Sequence, residues 1–318
     1  MLMENKLQKT KIGDTPLSIS IYSVTSSPTH INDPDILEIV LCLKGCVNFS
    51  CGYDDFTLMP GEYVVVDRDA FFLYKGRDNI CVSFFLDLSR YEDRYPYIKH
   101  QFFVCEGTAE TDDKNYNSQK YILMKGLLIA TLKYILKNDS VEKIQLITDR
   151  IVELLIKQFD IAFYFYGSND ISSANLDKLH LISQYFSEHF QDKIDIHLLA
   201  DELGHSPRYL LEFMRKYSLG LRDMLGYFRA NISERYLINT DKTVSEISAE
   251  CGFSDIKYYY STFKKWYHCT PGRFRERYCH MTDLEIEYLP KDDIAVLVDS
   301  MLSQHYLYLF TDSSFNNY

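Results

Sequence analysis

No apolar run in this chain approaches the roughly 18 residues that a membrane-spanning helix requires; the longest, such as YVVVD and VSFFLD, stop after a few positions. The opening MLMENKLQKTK likewise lacks the continuous apolar segment of an export signal. A cytoplasmic protein without a membrane association is expected. No C-x-x-C pair occurs among the eight cysteines, at 42, 46, 51, 81, 105, 251, 269 and 279. Several lie in apolar stretches, where a free thiol behaves as a small hydrophobe in a reducing compartment. Cys42, Cys46 and Cys51 are irregularly spaced and have no histidine near them, which argues against zinc. Positive charge is also lacking, since the formal net charge is −11. That excludes a protein that coats nucleic acid indiscriminately. The deficit is uneven, however: residues 176–280 hold 15 Lys and Arg against 14 Asp and Glu, and the remainder holds 19 against 31. A neutral third in an acidic chain permits local contact with phosphates.

What is present divides by periodicity. With 318 residues, 46% of them hydrophobic, the chain has room for two domains with cores of their own. Residues 18–90 read as short strands separated by Gly, Asp and Pro, at a spacing that predicts a small barrel or sandwich. Helical periodicity takes over at 118–138 and 140–166. The polar interval YGSNDISSANLDK marks a linker near 167–175, and closely spaced helix signals then run to about 278. Beyond 281 lies a tail with seven acidic residues against one basic, which is not expected to touch DNA; its apolar stretch IAVLVDSMLSQHYLYLF is suited to folding back on the protein.

One unit occurs twice, as IDIHLLADELGHSPRYLLEFMRKY (194–217) and KTVSEISAECGFSDIKYYYSTFKKWY (242–267). In each copy a polar cap (Asp195, Thr243) opens a short helix and a glycine (Gly204, Gly252) ends it. A hydroxyl cap (Ser206, Ser254) then opens a second helix with an apolar stripe and basic residues. Thr243 and Glu246 form a capping box, and Pro207 takes the first helical position, where its missing N–H costs nothing. Helix, glycine turn and helix is the helix-turn-helix plan, here repeated on either side of one long helix, GLRDMLGYFRANISERYLIN.

The second copy carries Gly252, Phe253, Ser254, Asp255, Tyr258, Tyr259, Phe263, Lys264, Lys265, Thr270, Pro271, Phe274 and Arg275 at the spacing of a family signature; the first carries Ser206, Tyr209, Leu210, Met214, Arg215 and Lys216. On these residues 176–278 resembles the DNA-binding domain of the AraC/XylS family of transcription regulators. The resemblance implies that the second helix of each unit enters a major groove. It places the base readers at Ile256, Lys257, Tyr258 and Ser261, with Pro207, Arg208, Leu211 and Glu212 equivalent in the first copy. Arg208 would suit guanine and Glu212 cytosine. Phosphates would be met by Ser206, Arg215, Lys216, Lys264, Lys265, Arg273 and Arg275. Tyr259, Thr262, Phe263 and Trp266 form the expected buried stripe, leaving Tyr258 toward the groove and Tyr260 on the flank.

The stretch 54–76 resembles the cupin-like sensor found ahead of this domain in many family members. Metal-dependent cupins need converging histidines, and none lies between His30 and His100, so neither a metal nor any other cofactor is expected and the chain is read as a non-enzyme. Phe71, Phe72, Tyr74, Phe84 and Phe85 would either line an effector pocket or pack the interior of the barrel. The fold expected is α+β, with a small cupin-like β-barrel followed by helices and then an all-α domain of two helix-turn-helix units joined by a long helix. Its parts are a sensor at 1–110, a helical pair at 111–167 that forms a homodimer or packs on its own barrel, a linker at 168–175, the DNA-binding domain at 176–280 and an extension at 281–318. The function expected is an activator bound to promoter DNA and touching RNA polymerase, under control of a small effector. The rival reading is a binding or anti-regulatory protein that keeps the fold without DNA contact.

Overall fold

The computed structural model describes residues 7–26, 30–31, 33, 35–51, 54–68, 71–103, 105–108, 119–160, 172–217, 220–279 and 285–305. Residues 168–171 of the expected linker at 168–175, and the end of the tail, lie outside them.

Two long antiparallel strands dominate the first half, β4 (Ile36–Cys51) and β7 (Phe71–Asp87), in register from Ile36↔Asp87 to Cys51↔Phe72. The other strands are β1 (Thr10–Lys11), β2 (Leu17–Ser26), β3 (His30–Ile31), β5 (Asp54–Leu58), β6 (Tyr63–Val66), β8 (Glu106–Gly107) and β9 (Glu285–Tyr288). The main path runs β1-β2-β7-β4-β6-β8, while β3 joins β7, β5 joins β4 and β9 joins β2. The ribbon is bulged between Cys42 and Cys46, where Gly45 has φ +72° and Asp78 opposite has φ 51°. A Cβ on Gly45 would lie 2.3 Å from the Asp78 carbonyl oxygen, so only glycine fits this crossing.

This sheet corrects the expected barrel. A barrel needs hydrogen bonds around its full circumference. Here, among the described residues, the path ends in the two-residue strands β1 and β8, which do not pair with each other. Helices cover one face instead. Leu37, Ile39, Leu41, Phe84 and Leu86 pack on that face with α1 (Gln119–Leu136) and α2 (Val141–Gln158). Val40, Cys42, Phe72, Tyr74 and Phe85 form a second core on the other face. Because side chains alternate along a strand, Phe84 is on the opposite face from Phe85, Phe72 and Tyr74. The proposed pocket residues therefore do not line one space. Phe49, Phe72 and Tyr74 stack with centroids 5.5–6.0 Å apart and are fully buried; the Phe71 side chain lies outside the described set.

Helix α1 is buried on most of its circumference, and α2 buries a broad stripe from Ile144 to Ile156. Much of the apolar content that raised the expectation of pairing between chains is thus packed within this one, with Ile122 on α1 and Val141 and Leu146 on α2 left exposed.

The second half consists of α3 (Ser173–His189), α4 (Ile196–Glu202), α5 (Pro207–Tyr217), α6 (Leu221–Asn239), α7 (Val244–Glu250), α8 (Ile256–Tyr267) and α9 (Pro271–Cys279). Its helical character agrees with the sequence reading. The chain then returns to the first half. Strand β9 pairs with β2 through Tyr22↔Tyr288 and Val24↔Ile286, and the Leu289 amide donates to the Ile21 carbonyl at 2.9 Å. Helix α10 (Ala295–His305) follows, and Ile294, Val298 and Leu302 complete the core beside α1. Other contacts join the halves directly. Phe102 meets Phe228 edge-on at 5.1 Å, Arg277 pairs with Asp55, and Gln101 and His180 both hydrogen-bond the buried Asp160 carboxylate, at 2.9 and 3.1 Å.

Candidate nucleic-acid interface

Each unit of the second half is built on local signals. In the first, Asp195 caps α4 by accepting from the His197 amide at 2.8 Å, Gly204 turns the chain at φ +67°, and Ser206 accepts from the Tyr209 amide at 3.2 Å to start α5. In the second, the capping box of Thr243 and Glu246 is formed and Gly252 turns at φ +78°. The cap of α8 is Asp255, which accepts from the Lys257 amide at 3.1 Å, rather than the expected Ser254. Asp255 is the residue directly before the first helical position, which is where a cap has to stand.

Leu199, Leu210, Phe213 and Met214 bury one unit against α3 and α6, and Ile247, Phe253, Tyr259, Phe263 and Tyr267 bury the other. The connecting helix α6 ties them together. Its Arg229 donates to the carbonyls of Phe190 and Asp192, at 2.7 and 2.8 Å, beyond the end of α3. Gly252 approaches the same place, where an added Cβ would fall 2.6 Å from the Phe190 oxygen. One helix end is thereby gripped by α6 and by the turn of the second unit. Glu234, also on α6, is 5% exposed, and burial pushes its carboxyl up to about 8, with a hydrogen bond to Tyr267 acting weakly against that. It is a neutral acid at physiological pH.

The outward residues of the first unit are Arg208 and Glu212, exposed and paired with each other at 3.1 Å, with Pro207 and Leu211 half-buried beside them. In the second unit Ile256, Lys257 and Ser261 are exposed on α8 as expected. Tyr258 is placed differently. It is half-buried, with the Arg222 guanidinium 4.7 Å from its ring and its hydroxyl 3.4 Å from the Arg222 carbonyl, so it packs on the start of α6. Tyr260, read as a flank residue, is 39% exposed and shares a shallow concavity of about 490 Å³ with Ile256, Lys257, Ser261, Lys264 and Thr270. The i, i+4 spacing of Ile256 and Tyr260 was the signal available for this. In the stripe, Tyr259, Thr262 and Phe263 are buried; Trp266 is half-buried against Tyr227, and Tyr267 stacks on Phe263 at 4.3 Å.

The basic residues separate into two groups. Arg215, Lys216, Lys264 and Arg273 are exposed, and among the described residues none of them has an ion-pair partner. Lys265 is paired with Asp223 at 2.9 Å. Arg275 donates to the carbonyls of Leu237 and Lys242, both at 2.7 Å, and so serves the end of α6. Among the described residues no group of three or more His, Cys, Asp or Glu could hold a metal, and no helix is long and apolar enough to cross a membrane.

Residues 199–277 match the model of a helix-turn-helix domain family, a span running from within α4 to within α9. An uncharacterised HTH-type transcriptional regulator of Staphylococcus aureus is 24% identical over 216 residues, 67% of this chain and 28% of that protein. The bifunctional transcriptional activator/DNA repair enzyme AdaA of Bacillus subtilis is 30% identical over 97 residues, 30% of this chain and 46% of that one. This chain therefore spans less than half the length of these relatives. Among solved structures, the C-terminal domain of the response regulator yesN of Fusobacterium nucleatum overlaps 31% of this chain and 98% of its own length, at 28% identity and a TM-score of 0.29. ToxT of Vibrio cholerae overlaps 83% of this chain and 99% of its own, at 13% identity and a TM-score of 0.42. The duplicated caps, glycine turns and buried stripes fall in the region that the family model matches, and residues 199–277 of this chain are a helix-turn-helix domain.

Proposed function

We propose that this chain is a sequence-specific DNA-binding transcription regulator that presents α5 and α8 to successive major grooves. The observation that carries this is the division of labour on those two helices. Each buries its apolar stripe against α6 and leaves Arg208 and Glu212, or Ile256, Lys257 and Ser261, in solvent. A groove-bound helix requires one buried face and one unobstructed polar face. Arg215, Lys216, Lys264 and Arg273 supply cations for phosphates, while Ser206, Lys265 and Arg275 act mainly within the fold. The HTH-type regulators among its relatives support the same reading.

The first half then carries control, through an effector or partner bound to the sheet and its helices, with contact to RNA polymerase and self-association as the accompanying expectations. The deciding experiment is titration of fluorescent promoter fragments, including the one upstream of its own gene, across a range of salt. Four phosphate contacts give a log–log slope of about −4. Absence of any salt-sensitive preference among fragments would sink the reading in favour of a fold-retaining anti-regulatory protein.

A further inference from the structure

The exposed face of α8 is chemically specific, and the inference drawn from it rests on reading α8 as a groove-bound helix. Ile256 and Tyr260 are each 39% exposed and stand one turn apart in the concavity they share with Lys257, Ser261, Lys264 and Thr270. The Tyr260 ring is steadied by an edge contact to Tyr259, at 6.2 Å and 71°. The Ser261 hydroxyl spends its proton on the Tyr258 carbonyl of its own helix, at 2.9 Å. Tyr258 itself faces α6. Between the two lysine head groups, what this surface offers is carbon: a sec-butyl group, a ring and the stems of Lys257 and Lys264.

On the floor of the major groove one base substituent is apolar, the C5-methyl of thymine. A carbon-lined concavity flanked by cations on a groove-bound helix matches a thymine methyl edged by phosphates. We propose that Ile256 and Tyr260 form a receptor for thymine methyl groups, and that Tyr260 determines specificity in the second unit. Arg208 and Glu212 give the first unit hydrogen-bonding chemistry suited to a G·C pair. The two units thus read by different means, and the preferred duplex has a thymine-bearing half and a G·C-bearing half.

The test begins with a duplex enriched from a random library by the full chain. Each thymine is then replaced in turn by deoxyuridine, which lacks only the methyl group. At one or two positions in one half of the site, affinity is expected to fall about fourfold per methyl removed. Ile256→Ala and Tyr260→Ala should weaken binding to the thymine duplex and abolish the thymine–uracil difference, while Tyr260→Phe preserves it. Both positions are solvent-exposed, so folding is retained and is checked by circular dichroism. Methyl recognition is overturned, with DNA binding intact, in any of three cases: uracil changes nothing at any position, the enriched site lacks thymine in that half, or the alanine variants lose equally on both duplexes. The last outcome would assign the face to a protein partner or to packing. Failure to enrich any duplex would instead overturn DNA binding itself, and this inference with it.

Discussion

Replacing Glu234 by glutamine should change how the protein responds to pH. The Glu234 carboxyl is buried on α6, and burial raises it from 4.5 to about 8. Below pH 4.5 it is protonated whether the chain is folded or not, and it contributes no pH dependence. Between 4.5 and 8 the unfolded chain releases the proton while the folded chain keeps it, so stability present at low pH is lost as pH rises. At 1.4 kcal/mol per unit, the loss is about 3 kcal/mol by pH 7 and about 4 kcal/mol by pH 8, where the folded carboxyl is itself half ionised. Glutamine is neutral throughout and keeps the volume, so Glu234→Gln should be close to wild type at pH 5 and clearly more stable at pH 8. The measurement is urea denaturation followed by the fluorescence of the single tryptophan, Trp266, which lies edge-on to Tyr227 of the same α6 and so reports this domain. Glu38, pushed up to about 7 in the sheet, has the same sign and is common to both proteins, so it cancels in the difference between them. If the two proteins lose stability in parallel between pH 5 and 8, Glu234 does not hold a proton in the fold and the reasoning fails.

Other substitutions separate roles that the sequence groups together. Gly252→Ala forces a Cβ to 2.6 Å from the Phe190 oxygen at φ +78°, and should cost about 1–3 kcal/mol in thermal or urea denaturation. Arg275→Ala should lower stability and leave the salt slope of DNA binding unchanged, because its donors are spent on α6; Lys264→Ala and Arg273→Ala should each reduce that slope by about 1 at unchanged stability. Val298→Asp puts a charge into the core beside α1 and should destabilise by several kcal/mol, about 3 or more, although the residue lies outside the DNA-binding region. An exposed surface substitution on α10 such as Ser300→Asp serves as the control.

The helix-turn-helix units were legible because their signals are local. A cap, a glycine at positive φ and a stripe at three and four spacing lie within about 25 residues of one another. The openness of the sheet was not legible, since closure depends on which edges meet, and the partner of Tyr22 is Tyr288, far away in sequence. Alternation could have separated Phe84 from Phe85; along β4 the bulge at Gly45 changes which parity faces which core, and the isolated glycine was its one local signal. The exchange of roles between Tyr258 and Tyr260 has a similar origin. Helical spacing fixes the angles between three successive tyrosines, whereas the side occupied by Arg222 of α6 is a tertiary fact.

The return of the chain through β9 and α10 sets the mechanics of the molecule. A domain tied to its neighbour at one end can swing away from it; tied at both ends, it cannot leave without breaking one attachment. The second-half helices lie between a departure from the first half after Asp160 and a re-entry at Glu285, so their domain is tied to the first half at both of its ends. A signal in the sheet that reorients α5 and α8 has to release Phe102 from Phe228, Arg277 from Asp55 and His180 from Gln101 and Asp160.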